Sequence, residues 1–128
     1  MPNYLPNRDY LHLESSLDEG VEFIGLINKY GRITEEHYKN QILLPVKKSE
    51  MLFMEILLSA SLQRDFDEDF GAVKFMITER KNLKFVSIPC GSGMILIIMQ
   101  KNCDPYPIIN RIISVNSLIS ETSASGVL

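Results

Sequence analysis

The pattern of apolar and polar positions singles out one stretch, from Ser49 to Phe66 (SEMLFMEILLSASLQRDF). Its length and flanks predict one long helix, with Ser49 as the N-cap and Glu50 at the positive end of the helix dipole. At roughly 100° per residue, the apolar residues form two stripes about a third of a turn apart. The first stripe is Met51, Met54, Leu58, Leu62 and Phe66, and the second is Phe53, Ile56, Leu57 and Ala60.

Two apolar stripes on one helix predict two different burial partners, because a helix lying on one sheet needs a single apolar arc. We assign the first stripe to the sheet, since it continues to Phe66, whereas the second runs into Arg64. The second stripe is then predicted to be a protein–protein interface, with Ala60 allowing close approach. The alternative is that other helices of the same domain, or the segment 32–48, cover it. The predicted interface residues are Phe53, Ile56, Leu57 and Ala60.

Before this helix, the pattern predicts a short helix and two strands. Asp9 is placed to cap a helix that ends at Gly20. Residues 21–28 (VEFIGLIN) have apolar side chains at both odd and even positions, which point to opposite faces of a strand. This pattern is typical of a strand covered on both faces. A turn at 29–32 precedes residues 33–38 (ITEEHY), whose polar character suits a strand at the sheet edge.

After the long helix, three more strands and a helix are predicted. The strands are expected at 72–79, 83–88 and 94–99, and the last (MILIIM) should lie in the middle of the sheet because it is apolar throughout. A glycine-rich hairpin loop, Pro89 to Gly93, joins the second and third of these strands. Asp104 and Pro105 begin the final helix as N-cap and first helical residue. Its buried stripe comprises Ile108, Ile109, Ile112, Ile113, Val115 and Ile119.

The order is therefore helix, strand, strand, helix, three strands and helix. Every link between successive strands is short, so the sheet should be antiparallel, and the fold class is α+β, a five-stranded sheet flanked by helices. The length of 128 residues predicts a single domain over 9–119, with flexible termini at 1–8 and 120–128.

Composition narrows the classes of partner. The net charge of −3 and the pI near 5.4 argue against a nucleic-acid interface, which needs a basic face. The first residues lack the apolar run of a signal peptide, and no apolar run approaches the length of a membrane span. We therefore expect a cytoplasmic protein that binds neither nucleic acid nor membrane, with Cys90 and Cys103 reduced.

Candidate catalytic and ligand-binding motifs are weak. Asp65, Asp67 and Asp69 alternate as in a calcium loop, but Phe70 stands where that loop requires glycine. The run from Gly91 to Gly93 begins like a dinucleotide fingerprint and lacks the third glycine. Cys90 is a weak candidate for a reactive thiol, and neither His12 nor His37 has further metal ligands at a suitable spacing. These patterns predict no catalytic residue, metal or cofactor.

The order of elements resembles the roadblock/LC7 family, whose fold is a profilin-like sandwich, and more narrowly a group of small archaeal proteins of that type. The matching stretches cover about residues 9–119, and the pattern departs from the family where ITEEHYKNQILLP replaces a clear second strand. The resemblance implies homodimers that act as scaffolds or regulators, in several cases of small Ras-like GTPases. It also implies pairing through the central helix and the following strand, here 72–79. The stretches are VEFIGLINKYGRI, SEMLFMEILLSASLQRDF, KFVSIPCGSGMILIIMQ and DPYPIINRII.

Two hypotheses for function follow. The first is a non-enzymatic, dimeric interaction module that uses the second stripe. The second is a small-molecule sensor that holds a ligand between sheet and helix, because related sandwich folds do so and methionines make adaptable pocket walls. The methionines considered for that wall, with plain core packing as the alternative, are Met51, Met54, Met94 and Met99.

Overall fold

The computed structural model describes residues 20–39 and 46–115, which form a five-stranded sheet with helices on both faces. The strands follow the spatial order β2-β1-β5-β4-β3, and every neighbouring pair is antiparallel. The predicted fold class is confirmed. The strands are β1 (Val21–Ile27), β2 (Ile33–Tyr38), β3 (Met76–Glu79), β4 (Leu83–Cys90) and β5 (Gly93–Gln100).

The long helix, α1 (Val46–Gln63), begins three residues before the predicted start. Ser49 therefore lies inside the helix, and the prediction that it is the N-cap was wrong. The chain continues through a 3-10 turn (Arg64–Phe66) into a short helix, α2 (Asp67–Phe70). Gly71 ends this helical run with φ of 85°, a conformation that glycine adopts without steric cost.

The central strand β5 is buried from Met94 to Met99, as its uninterrupted apolar sequence predicted. Alternate side chains enter two separate cores. Ile95, Ile97 and Met99 pack with the isoleucines of the last helix, α3, which spans 106–115 in the described part of the chain. Leu96 and Ile98 pack on the opposite face, against α1. The described residues thus form three layers, with the sheet between α1 and α3.

The run Gly91-Ser92-Gly93 is a tight hairpin turn, as predicted. Cys90 pairs with Gly93 across a two-residue turn, and Gly91 has φ of 61°. A Cβ atom at Gly93 would collide with the backbone carbonyl of Ile27 in β1. The second glycine of the motif is therefore needed for close strand packing.

The strand β2 is a polar edge strand, and its side chains alternate between partly buried and exposed. Its register with β1 shifts between Leu26 and Ile27, which is a β-bulge. In the preceding turn, the Asn28 side chain accepts hydrogen bonds from the backbone N–H groups of Tyr30 at 2.9 Å and Arg32 at 3.1 Å. These bonds fix the hairpin between β1 and β2.

Two further predictions can be compared with the structure. The strand predicted at 72–79 pairs with β4 only from Met76 to Glu79. The predicted cap of the last helix is confirmed, because the backbone N–H of Tyr106 donates to Asp104 Oδ1 at 3.1 Å. The helix predicted from Asp9, the flexible termini and the ends of the domain at 9 and 119 lie outside the described residues.

Candidate functional site

The sheet is covered by one face of α1, here called the inner face, which consists of Phe53, Ile56, Leu57 and Ala60. Phe53 and Ala60 are each only 8% exposed, and Ile56 and Leu57 are partly buried. Phe53, Ile56 and Leu57 pack with four side chains of the sheet, which are Phe23, Ile27, Leu96 and Ile98. The residues predicted to form a partner interface therefore face the sheet of their own chain.

The predicted assignment of the two stripes was consequently wrong: the Phe53 stripe, and not the Met51 stripe, packs on the sheet. The prediction relied on the continuity of the first stripe up to Phe66. Packing depends instead on close approach and shape, since a small residue such as Ala60 lets the helix backbone come near the sheet. Arg64 does not interrupt the inner face, because the regular helix has already ended at Gln63.

The opposite face of the helical run is apolar and exposed. We call this set the outer face, and its members recur at intervals of three or four residues through α1, the 3-10 turn and α2. Each of the six side chains keeps between 50% and 85% of its surface exposed. Contiguous apolar surface of this kind is uncommon on monomeric proteins and marks interaction sites. The outer face consists of Met51, Met54, Leu58, Leu62, Phe66 and Phe70.

The hairpin between β1 and β2 borders the outer face on one side. Gly31, at its tip, has φ of 82°, and a Cβ atom there would collide with the Met54 side chain and lie 3.7 Å from that of Leu57. Tyr30 extends the exposed surface, with 68% of its area accessible, and the Lys29 ammonium lies 5.3 Å from its ring centre. An exposed aromatic residue with an adjacent cation therefore directly precedes Gly31, the residue that lies against Met54.

Charges at the two ends of the outer face have opposite sign. Lys47 and Lys48 lie in the first turn of α1, which has no acidic residue. The other end carries Asp65 in the 3-10 turn and three further acidic residues, 67–69, in α2. Cations at the N-terminus and anions towards the C-terminus of a helical run oppose the helix dipole. This distribution does not stabilise the helical run of an isolated chain.

The strand β3 lies at one edge of the sheet and follows the outer face in sequence. Among the described strands it pairs with β4 alone, so its second edge is open. Met76 and Ile77 are partly buried, and Thr78 and Glu79 are exposed. An open edge presents unpaired backbone N–H and C=O groups that can pair with another strand.

A pocket of about 180 Å³ lies where the end of α1 meets the β4–β5 hairpin. Of the four methionines predicted to line a ligand site, Met94 lines this pocket. Met51 and Met54 belong to the outer face, and Met99 lies on the α3 side of the sheet. Three of the four methionines considered for a ligand site therefore do not line this pocket, and the alternative of core packing holds for Met94 and Met99, which are buried. The lining residues are Ala60, Arg64, Asp67, Ala72, Val73, Met76, Ser87, Pro89, Gly91, Gly93 and Met94.

The candidate catalytic residues are not brought together. His37 Nε2 lies 2.8 Å from Glu35 Oε2, within β2. Cys90 and Cys103 are partly buried and are not joined in a disulfide. Within residues 20–39 and 46–115, no three His, Cys, Asp or Glu side chains are grouped so that they could hold a metal ion, the alternating aspartates 65–69 included. His12 lies outside the described residues.

None of the helices in the described ranges has both the length and the apolar content needed to span a membrane.

Comparison with known proteins identifies the fold. No family model matches the chain, and no curated protein matches it. Solved structures do match. A roadblock/LC7 domain from Streptomyces avermitilis is 13% identical with a TM-score of 0.64, covering 89% of this chain and 97% of that one. MglB from Myxococcus xanthus is 11% identical with a TM-score of 0.67, covering 94% and 99%.

A further match supports the same fold. The gliding protein MglB from Thermus thermophilus is 9% identical with a TM-score of 0.64, covering 90% of this chain and 94% of that one. A separate MglB structure, described as having a tetrameric arrangement, gives a TM-score of 0.68 at 9% identity. The chain therefore has the roadblock/LC7 fold, an α+β sandwich built on a five-stranded antiparallel sheet.

Sequence reasoning missed some residues of the candidate site. Phe70 follows Phe66 at the same four-residue spacing as the first stripe, so its place on the outer face was readable from the pattern. Tyr30 was assigned only to a turn, because nothing in its neighbourhood indicates that the turn borders a helix. Ser87 and Arg64 meet at the pocket through tertiary packing, for which the sequence carries no signal.

Proposed function

We propose that the protein is a dimeric, non-enzymatic scaffold or regulatory module that pairs through the outer face of α1 and the open edge of β3. The observation that carries this proposal is the outer face itself, six large apolar side chains that are each at least half exposed. A second copy that covers this face removes it from water, and burial of apolar surface is the main favourable term in association. The proposed partner surface is therefore the outer face, and not the inner face that was predicted from the sequence.

The charges at the ends of the outer face favour an antiparallel arrangement of the two copies. With two-fold symmetry about Leu58, the midpoint of the stripe from Met51 to Phe66, Lys47 and Lys48 of one copy approach the acidic residues 65–69 of the other. Opposite charges then meet at both ends, and each end gains a counterpart that the isolated helix lacks. A parallel pairing would place like charges together.

The open edge of β3 supports the same symmetry. Two copies of an antiparallel edge strand pair across a two-fold axis, which satisfies their backbone groups and joins the two sheets into one. Because β3 is only four residues long, its ladder alone is a weak determinant. We therefore propose that the outer face supplies most of the affinity and that β3 fixes the register.

A partner for the dimer is suggested by the family resemblance. We propose that this partner is a small Ras-like GTPase. Titration of the dimer with the GTPase loaded with GDP or with GTP, followed by measurement of binding and of GTP hydrolysis, tests this proposal. Fold alone does not fix function, so this part depends on the resemblance. The narrower likeness to small archaeal proteins and the cytoplasmic location also remain predictions.

Light scattering on the purified protein tests the pairing. The natural chain should be a dimer at micromolar concentration, and Leu58→Asp should be a monomer, because pairing would bury an unpaired carboxylate at a cost of several kcal/mol. Gln63→Asp is the matched control, since it adds the same charge to an exposed position outside the outer face and should leave the dimer intact. A natural chain that stays monomeric, or a Leu58→Asp variant that still dimerises, would contradict the proposal.

A further inference from the structure

The pocket beside the hairpin has the composition of a small binding site. Its walls are largely apolar, and come from the end of α1, the segment that leads into β3, and the β4–β5 hairpin. Its floor includes Ser87, on the α1 side of the sheet, and its remaining polar side chains are Arg64 and Asp67. The apolar wall residues are Ala60, Ala72, Val73, Met76, Pro89 and Met94.

Ser87 contributes to this pocket a buried hydroxyl group that needs a hydrogen-bond partner. The residue is 8% exposed and is the buried polar residue of the described core. Its hydroxyl forms no hydrogen bond with any residue in the described ranges. Buried hydroxyl groups in proteins are nearly always hydrogen-bonded, because leaving one unpaired costs free energy. A ligand with a hydrogen-bonding group would satisfy Ser87 from inside the pocket.

The volume limits the size of that ligand. At about 180 Å³ the pocket is slightly larger than the roughly 150 Å³ cavity that holds a benzene molecule. It is smaller than the range of about 300–1,000 Å³ for drug-sized ligands. The pocket therefore suits a molecule, or the enclosed part of one, of about six to ten non-hydrogen atoms, as an order-of-magnitude estimate.

The two charged side chains define the chemistry. Arg64, which is exposed, and Asp67, which is partly buried, both line the pocket. A guanidinium binds carboxylates through paired hydrogen bonds, whereas a carboxylate at the same pocket would repel a simple organic acid. A ligand that carries both an ammonium and a carboxylate on a short apolar body satisfies both groups.

We propose that this pocket binds a small aliphatic α-amino acid. Arg64 and the Ser87 hydroxyl hold the carboxylate, Asp67 holds the ammonium, and the aliphatic side chain packs on Met76 and Met94. None of the six outer-face residues lines the site, although Met76 belongs to β3 and Asp67 to the acidic end of the proposed pairing surface. Binding would make the chain a sensor of free amino acids.

Methionine methyl NMR on the full chain tests this site. Met76 and Met94 report on the pocket, and Met51 and Met54 report on the outer face. Valine or leucine should shift the Met76 and Met94 signals saturably, with little change at Met51 and Met54. Isovalerate, which lacks the ammonium, and isopentylamine, which lacks the carboxylate, should bind at least tenfold more weakly. Equal binding of all four compounds, or no shift up to about 10 mM valine or leucine, would overturn the proposal.

Substitutions at the pocket distinguish specific amino-acid binding from nonspecific binding. Arg64→Gln should weaken amino-acid binding at least tenfold, because it removes the charge-assisted hydrogen bonds of an exposed guanidinium to the carboxylate. Lys74→Gln is the control, because it removes a nearby exposed cation that does not line the pocket, and should leave affinity unchanged. Ser87→Ala should also weaken binding while leaving the fold intact. Equal affinity in Arg64→Gln and the natural chain would overturn the assignment.

The same spectra keep this inference separate from the proposed function. If the dimer proposal fails, the Met51 and Met54 signals will not depend on protein concentration, while amino acids still shift Met76 and Met94. If the amino-acid proposal fails, amino acids will not shift the Met76 and Met94 signals, while the Met51 and Met54 signals will still depend on protein concentration.

Discussion

The inner and outer faces of α1 have similar side chains and opposite surroundings. Phe53 on the inner face is 8% exposed, and Phe66 at the end of the outer face is 53% exposed. Both faces are apolar, so hydrophobicity does not decide which one meets the sheet. The difference is that the inner face includes the small residue Ala60 at its C-terminal end, whereas every member of the outer face is large. A helix packs closely where a small residue lets the backbones approach.

This comparison explains why one helix can serve two interfaces. The inner face contributes to the stability of the single chain, since it packs with Leu96 and Ile98 of the central strand. The outer face contributes nothing comparable within the described part of the chain. In the proposed dimer, the second copy would cover these apolar residues.

The largest expected effect compares two phenylalanines. Phe53→Ala should lower the free energy of unfolding by about 3–5 kcal/mol, because it removes a buried ring and leaves a cavity. Phe66→Ala should lower it by about 1 kcal/mol or less, because that ring is half exposed. Urea denaturation of both variants in the monomeric Leu58→Asp background measures the difference. Equal losses would mean that the two faces are not distinct in the single chain.

A smaller loss of stability is expected at Gly31, in the hairpin that lies against Met54 and Leu57. Gly31→Ala should destabilise the chain by about 1–2 kcal/mol from its positive φ, plus the cost of displacing Met54. Gly91→Ala shares the positive φ, at 61°, but has open space around its Cβ position, so it is the matched control. Thermal unfolding should place Gly31→Ala below Gly91→Ala. Identical melting temperatures would show that the hairpin does not pack tightly against Met54.

Much of the fold was predictable because its signals are local. The apolar run of β5 indicated a central strand, and Asp104 with Pro105 indicated where α3 begins. The polar alternation of β2 indicated an edge strand, and the run from Gly91 to Gly93 indicated a tight turn. In each case the signal is either the backbone preference of a residue type or the alternation of side chains along a strand, and both are visible within a few residues.

The candidate site was harder to predict because its signals are not local. The two stripes of α1 were readable, but which one meets the sheet depends on the shape of Phe23, Ile27 and the other sheet residues opposite. The start of α1 was also misjudged, since Ser49 is a good N-cap by type but lies inside the helix. The pocket joins Arg64 to Ser87, residues 23 positions apart that only tertiary packing brings together.

The central claim, that two copies pair antiparallel through the outer face, is tested most directly by disulfide trapping. In a Cys90→Ser, Cys103→Ser background, Met54→Cys and Leu62→Cys lie symmetrically on either side of Leu58. Antiparallel pairing predicts that mild oxidation of a mixture of the two variants gives mainly the mixed disulfide dimer, with little self-linked product. Self-linked dimers would indicate parallel pairing, and the absence of any cross-linked product would contradict pairing through this face.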